Sequence, residues 1–134
     1  MRSPRILLAD DNSEMRERVG ELLRSDFLIV GVARNGQQAL ESALRLTPDI
    51  LILDISMSIL NGIQVAKQLR ESGCSTKVIF LTVHEDHDYA EAAFSLGALG
   101  YVLKPRIGSD LIPAIQGALG GHRFISQFRP RHLE

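Results

Sequence analysis

Five short apolar runs, each separated from the next by a stretch of helical spacing, constrain this chain more than any other feature. The runs are 6–9, 27–33, 50–53, 78–81 and 101–103. They are rich in Ile, Val and Leu and do not alternate with polar residues, which is how strands buried on both faces read. Between them, Met15, Val19, Leu22 and Leu23 share one helical face, as do Tyr89, Ala92, Ala93 and Leu96, and later Leu111, Ile115, Ala118 and Leu119. Segments 36–46 and 62–72 carry the pattern more weakly, through Ala39, Ala43, Ala66 and Leu69. Strict alternation of strand and helix predicts a doubly wound α/β domain, five parallel strands with five helices over both faces.

Local signals agree with that frame. Asn12 or Ser13 can cap the first helix, and the acidic run Glu85, Asp86, Asp88 suits the positive end of the fourth, at 86–97. With Asp110 as N-cap of the last helix, Pro113 falls in its first turn, where a missing N–H costs nothing. That helix is expected to end at Gly120-Gly121.

At 134 residues the chain is one ordinary domain. Fifteen basic and sixteen acidic side chains leave a net charge of −1, which argues against nucleic acid as a partner of this segment. No apolar run approaches the roughly 18 residues of a membrane span, and the start Met1-Arg2-Ser3-Pro4-Arg5 leads into too short an apolar stretch for a signal peptide. The single cysteine, Cys74, excludes an internal disulfide and any multi-thiolate metal site. A cytoplasmic domain is the expectation.

In a doubly wound sheet, functional groups gather at the carboxyl ends of the strands. Strand one ends in Asp10-Asp11, strand three in Asp54, strand four in Thr82 and strand five in Lys104-Pro105. Singly, each has a bland explanation as a cap, a turn residue or a solvated charge. Together they place three carboxylates, a hydroxyl and an ammonium on one rim. Crowded carboxylates either bind protons or recruit a cation, and oxygen ligands in an open site favour Mg²⁺. A carboxylate beside such a cation and an ammonium can attack phosphorus to form an aspartyl phosphate, with Thr82 and nearby amides holding phosphoryl oxygens.

These residues resemble the receiver domain of bacterial two-component response regulators, in the NarL/LuxR-type subfamily, over roughly residues 4–121. The matching motifs are Ile6-Leu7-Leu8-Ala9-Asp10-Asp11-Asn12, the run from Pro48 through Asp54 to Met57 with Asn61-Gly62, then Phe80-Leu81-Thr82, Gly97-Ala98, Gly100-Tyr101 and Lys104-Pro105. The resemblance implies a flavodoxin/CheY-like strand order 2-1-3-4-5. It implies that Asp54 accepts a phosphoryl group from a sensor histidine kinase and that Mg²⁺ is held by Asp11, Asp54 and the backbone carbonyl of Ser56, with Asp10 acting through water. Lys104 would pair with the phosphoryl group, and its bond to Pro105 would be cis. Thr82 and Tyr101 would be the switch pair, the hydroxyl moving toward the phosphoryl group while the ring turns inward.

The chain departs from the pattern at Ser58, where Pro is common, and at Val83, where Ala or Gly is common. The first leaves the loop after Asp54 less restricted; the second places two extra methyls beside the phosphoryl path. Ser56 and His84 occupy variable flanking positions that tune acyl-phosphate hydrolysis in the family. His87, His122 and His132 share no metal-ligand spacing and read as surface residues.

Residues 1–121 are thus expected to form the receiver domain and 122–134 to begin a linker. His122-Arg123-Phe124-Ile125-Ser126 resembles the linker that leads to a helix-turn-helix DNA-binding domain, which the remaining residues cannot accommodate, and Leu133-Glu134 resembles a vector-derived tail. A phosphorylation-dependent homodimer is implied. Two other readings are a receiver-like module that dimerises without phosphorylation, and an Asp-nucleophile phosphatase. The phosphatase class commonly carries a second Asp two positions after the nucleophile, where Ser56 stands here, so a non-enzymatic phospho-switch is the preferred reading.

Overall fold

The computed structural model describes residues 3–130; residues 1–2 and 131–134, with His132 and Leu133-Glu134 among them, lie outside the described residues. The elements run β1 (Arg5–Ala9), α1 (Ser13–Leu23), β2 (Leu28–Ala33), α2 (Gly36–Leu46), β3 (Ile50–Asp54), α3 (Gly62–Glu71), β4 (Lys77–Thr82), α4 (His87–Ser95) and β5 (Gly100–Leu103). A single 3₁₀ turn at Lys104–Arg106 then leads into α5 (Ile107–Leu119) and a two-residue strand, β6 (Phe124–Ile125). All strand pairs are parallel, in the order β2-β1-β3-β4-β5-β6.

Parallel strands need covered faces, and successive side chains of the central strands enter opposite cores. Leu7, Leu51, Leu53, Phe80 and Tyr101 pack with residues of α2, α3 and α4, whereas Ile6, Ile50, Ile52, Ile79 and Val102 pack with α1 and α5. Side-chain caps set the helix starts. Asn12, Asn35 and Asn61 each accept an amide N–H from the first turn of α1, α2 and α3, and Asp86 does the same for α4.

The structure corrects the sequence expectations in three places. A sixth strand extends the sheet, because the chain after α5 turns back at Gly121 and lays Phe124–Ile125 along β5. Phe124, Ser126, Phe128 and Arg129 thus make contacts with the rest of the domain. Strand β2 is not buried on both faces: Leu28 is 53% and Val32 50% exposed, since β2 is the uncovered edge of the sheet.

The third correction concerns α5, which begins three residues before Asp110, so Pro113 lies inside the helix. Asp110 does not cap. It is buried, and its carboxylate accepts from Arg106 Nε at 2.9 Å, Ser109 Oγ at 2.9 Å and Ser126 Oγ at 2.6 Å. With its oxygens so engaged, the helix start passes to the preceding 3₁₀ turn.

Candidate functional site

Strand register brings the polar residues together. Ala9 lies beside Leu53, so Asp10 and Asp54, the next residues, stand abreast at the ends of β1 and β3. Asp54 pairs with Leu81 and Thr82 with Leu103, which puts Thr82 and then Lys104 each one step further along the rim. The four positions read from the sequence thus meet at one edge because parallel pairing leaves them no other place.

Lys104 Nζ lies 3.0 Å from Asp10 Oδ2 and 3.1 Å from Asp54 Oδ2. Oδ1 of Asp54 accepts the Ser56 N–H at 3.1 Å, and Oδ1 of Asp10 accepts the Asn12 N–H at 2.9 Å. Asp10 and Asp54 are buried while Asp11 is exposed, and one carboxylate oxygen from each of the three lies within 4.8 Å of the others. Burial, and after it the charge of Asp10, pushes the Asp54 carboxyl above its ordinary range, against the pull of Lys104 and the Ser56 N–H. Burial opposes the charge on Lys104 as well, but hydrogen bonding to Asp10 and the Asp54 charge outweigh it and hold the ammonium above its usual value.

One ammonium among three carboxylates leaves an excess of negative charge in a partly dry site. Asp10 Oδ2 is buried and, apart from the ion pair with Lys104, receives no well-formed hydrogen bond from any described residue. A buried carboxylate oxygen whose one partner is the shared Lys104 ammonium, beside two further carboxylates, one open to solvent, fits a hard divalent cation with water in its shell.

Gly62 lets α3 start against this site. A Cβ there would lie 2.5 Å from the Asp54 carbonyl oxygen, closer than any side chain can approach backbone. The loop before it is tied down despite the missing proline: the Ser58 carbonyl accepts the N–H groups of Gly36 and Leu60.

The switch candidates sit behind the rim. Thr82 is buried and its Oγ1 accepts the His84 N–H at 3.1 Å. Tyr101 is fully buried, with its hydroxyl donating to the His84 carbonyl at 2.7 Å. Ser56 Oγ and His84 Nε2 lie 3.1 Å apart, so the two variable flanking residues touch each other across the opening. Val83 is 64% exposed, and its methyls do not pack into the site.

The Lys104–Pro105 peptide is trans, which corrects the cis bond that the resemblance implied. Pro105 occupies the start of the 3₁₀ turn, where its fixed φ suits a helical first turn and the lost N–H has no partner to miss. Sequence reading also missed Arg16, whose guanidinium donates to the Asp10 carbonyl at 2.8 Å, and the tail residues Ser126, Phe128 and Arg129. The partners of the tail residues are distant in the chain, and no local motif marks them or Arg16.

The family model described as response regulator receiver domain matches residues 6–116. The chain is 39% identical over 124 residues to the transcriptional regulatory protein YvfU of Bacillus subtilis, covering 91% of this chain and 62% of that protein. It is 35% identical over 124 residues to the nitrate/nitrite response regulator NarL of Escherichia coli K12, covering 91% of this chain and 57% of NarL. The chain therefore spans about six-tenths of the length of these relatives.

Among solved structures it is similar to the signal receiver domain of NarL from Mycobacterium tuberculosis, with TM-score 0.86 and 28% identity, over 91% of this chain and all of that one. A LuxR-family two-component response regulator from Aurantimonas gives TM-score 0.85 and 30% identity, over 92% and 89% of the two chains. The rim of acidic residues around Asp54 is set in the fold these relatives share, and the chain belongs to the response regulator receiver domain family, in its NarL/LuxR-type branch.

Proposed function

We propose that this domain is a phospho-acceptor switch in which Asp54 receives a phosphoryl group from the phosphohistidine of a sensor kinase. The observation that carries the reading is the placement of Asp54: buried, hydrogen-bonded by Ser56 N–H, paired with Lys104 and flanked by Asp10 and Asp11. An Asp54 oxygen attacks phosphorus, the bond from phosphorus to the donor nitrogen breaks, and the electron pair leaves with the imidazole. Lys104 neutralises charge on the incoming group. Asp11, Asp54 and the Ser56 carbonyl would hold Mg²⁺, with Asp10 acting through water, and the ion would supply charge neutralisation at the phosphoryl oxygens.

Once formed, the acyl phosphate adds about −1.5 to −2 charges with new acceptor oxygens. Thr82 is a buried hydroxyl residue at the end of β4, and its movement carries the His84 amide with it. That shift biases the loop ahead of α4, whose position the Tyr101 hydroxyl reports through the His84 carbonyl. Ser56 and His84, touching at the opening, tune access of water to the acyl phosphate.

By the same reading the domain works in the cytoplasm as a signalling module, not as an enzyme with an external substrate. Phosphorylation promotes a homodimer, and the output is transcription through a helix-turn-helix DNA-binding domain joined beyond the linker at 122–134. No helix among the described residues is long and apolar enough to cross a membrane. The test is transfer from a panel of autophosphorylated histidine kinases labelled on phosphate. Label should move to this chain and not to Asp54→Asn; retention on every kinase would favour the phosphorylation-independent module.

A further inference from the structure

The segment after α5 is built into the switch. Phe124 N–H bonds the Leu99 carbonyl at 2.9 Å and Ser126 N–H bonds the Tyr101 carbonyl at 2.9 Å. Ser126 is buried, and its hydroxyl accepts the Leu103 N–H at 3.0 Å while donating to Asp110 at 2.6 Å. The Leu103 N–H, at the buried end of β5, would have no acceptor without it. Beyond Ser126, the Phe128 ring lies 6.0 Å from the Tyr101 ring and 4.7 Å from His87. Arg129 closes the segment on Glu85, its N–H at 2.6 Å from one carboxylate oxygen and its Nε at 2.8 Å from the other.

These contacts fall on both ends of one hydrogen bond. Tyr101 is held through its carbonyl and covered by Phe128; its hydroxyl binds the His84 carbonyl; and the next residue, Glu85, is held by Arg129. Phe128 packs on the cluster that holds the Tyr101 ring, and Arg129 ties the loop at Glu85.

We propose that residues 124–129 form a strap that locks Tyr101 inward and is thermodynamically linked to occupancy of Asp54, so that each favours the other. The proposal rests on the phospho-acceptor reading of Asp54. Linkage makes the effect reciprocal: the factor by which a docked strap tightens ligand binding at Asp54 equals the factor by which bound ligand favours docking. The Arg129–Glu85 pair is exposed on the arginine side, and such pairs hold weakly, so the strap can release.

The test uses the full chain and beryllium fluoride with Mg²⁺ as the phosphoryl mimic. Affinity is measured for wild type, Phe128→Ala and Arg129→Gln, and amide hydrogen exchange across 82–86 and 124–129 is followed with and without the mimic. The expected result is about five-fold or more weaker binding by Phe128→Ala, a smaller loss for Arg129→Gln, and slower exchange of the Ser126 and Arg129 amides in liganded wild type. Arg129→Gln and exchange in wild type keep the test intact if Phe128→Ala does not fold. Binding that protects 82–86 but leaves 124–129 unchanged, with both variants at wild-type affinity, would overturn the strap and leave the acceptor reading standing. Tighter binding by Phe128→Ala would overturn it too. A mimic that treats wild type and Asp54→Asn alike would overturn the acceptor reading itself, and the strap with it.

Discussion

The ammonium of Lys104 and the carboxylate of Asp54 meet at 3.1 Å, and Lys104 is shared with Asp10 at 3.0 Å. One cation therefore serves two buried anions. Replacing it by the apolar Lys104→Met leaves both uncompensated, and unfolding experiments at neutral pH should show a loss of about 1–3 kcal/mol, the buried-pair cost reduced for the partial exposure of Lys104. The loss should shrink on acidification, as the carboxyls take up protons.

Asp54→Asn should act in the opposite direction. Because folding raises the carboxyl's affinity for its proton, its favourable contribution is complete below the ordinary carboxylate range and lost as pH rises through the raised folded value. At neutral pH the ionised group opposes folding. In chelator, Asp54→Asn should melt a few degrees above wild type, the equivalent of about 1 kcal/mol. Millimolar Mg²⁺ should raise the melting temperature of wild type and do so less for the variant.

Much of this site could be read from the chain before folding was considered. The ends of the central runs carry Asp10, Asp54, Thr82 and Lys104, and parallel register then dictates that they converge. What could not be read depends on competition between partners. Asp110 reads as an N-cap until Ser126, sixteen residues later, and Arg106 take its oxygens. Likewise β6 is only two residues long, too short for any periodic signal, and it is followed by Arg129, whose partner Glu85 lies 44 residues back in the chain. Leu28 and Val32 look like core residues because their apolar run has the pattern of a strand buried on both faces, although the strand order implied by the resemblance puts β2 at the edge.

Asp110 should set part of the acid limit of stability. Burial pushes its carboxyl up, but hydrogen bonds from Ser126, Arg106 and Ser109 together outweigh that and hold it below its usual range. A depressed folded value means stability that is present above the unfolded value and lost as pH falls through the folded one. Asp110→Asn should cost about 1–2 kcal/mol at pH 7 and flatten the acid limb when urea unfolding is followed from neutral pH downward.

Tyr101 gives an alkaline counterpart. Burial first, and then the charge of Asp86, push its phenol up to about 12. Its contribution is therefore complete below the ordinary phenol value of about 10 and lost as pH rises toward the folded value. In a Tyr89→Phe background, absorbance near 295 nm (the phenolate band) should stay flat through pH 10–11 as long as the protein is folded. A phenolate signal there with native circular dichroism would show that the ring is not held inward.

Gly62→Ala tests how closely α3 must approach the acceptor. The added Cβ meets the Asp54 carbonyl oxygen at 2.5 Å, so the helix start must retreat. The expected cost is about 1–3 kcal/mol by thermal unfolding, with slower phosphorylation of Asp54.

The most direct measurement of the central claim is intact-mass spectrometry after incubation with a small phosphodonor, for wild type and Asp54→Asn, with and without Mg²⁺. A single phosphoryl adduct on wild type, absent from the variant and absent in chelator, is the predicted result. An adduct of the same yield on Asp54→Asn would contradict the assignment of Asp54 as the acceptor.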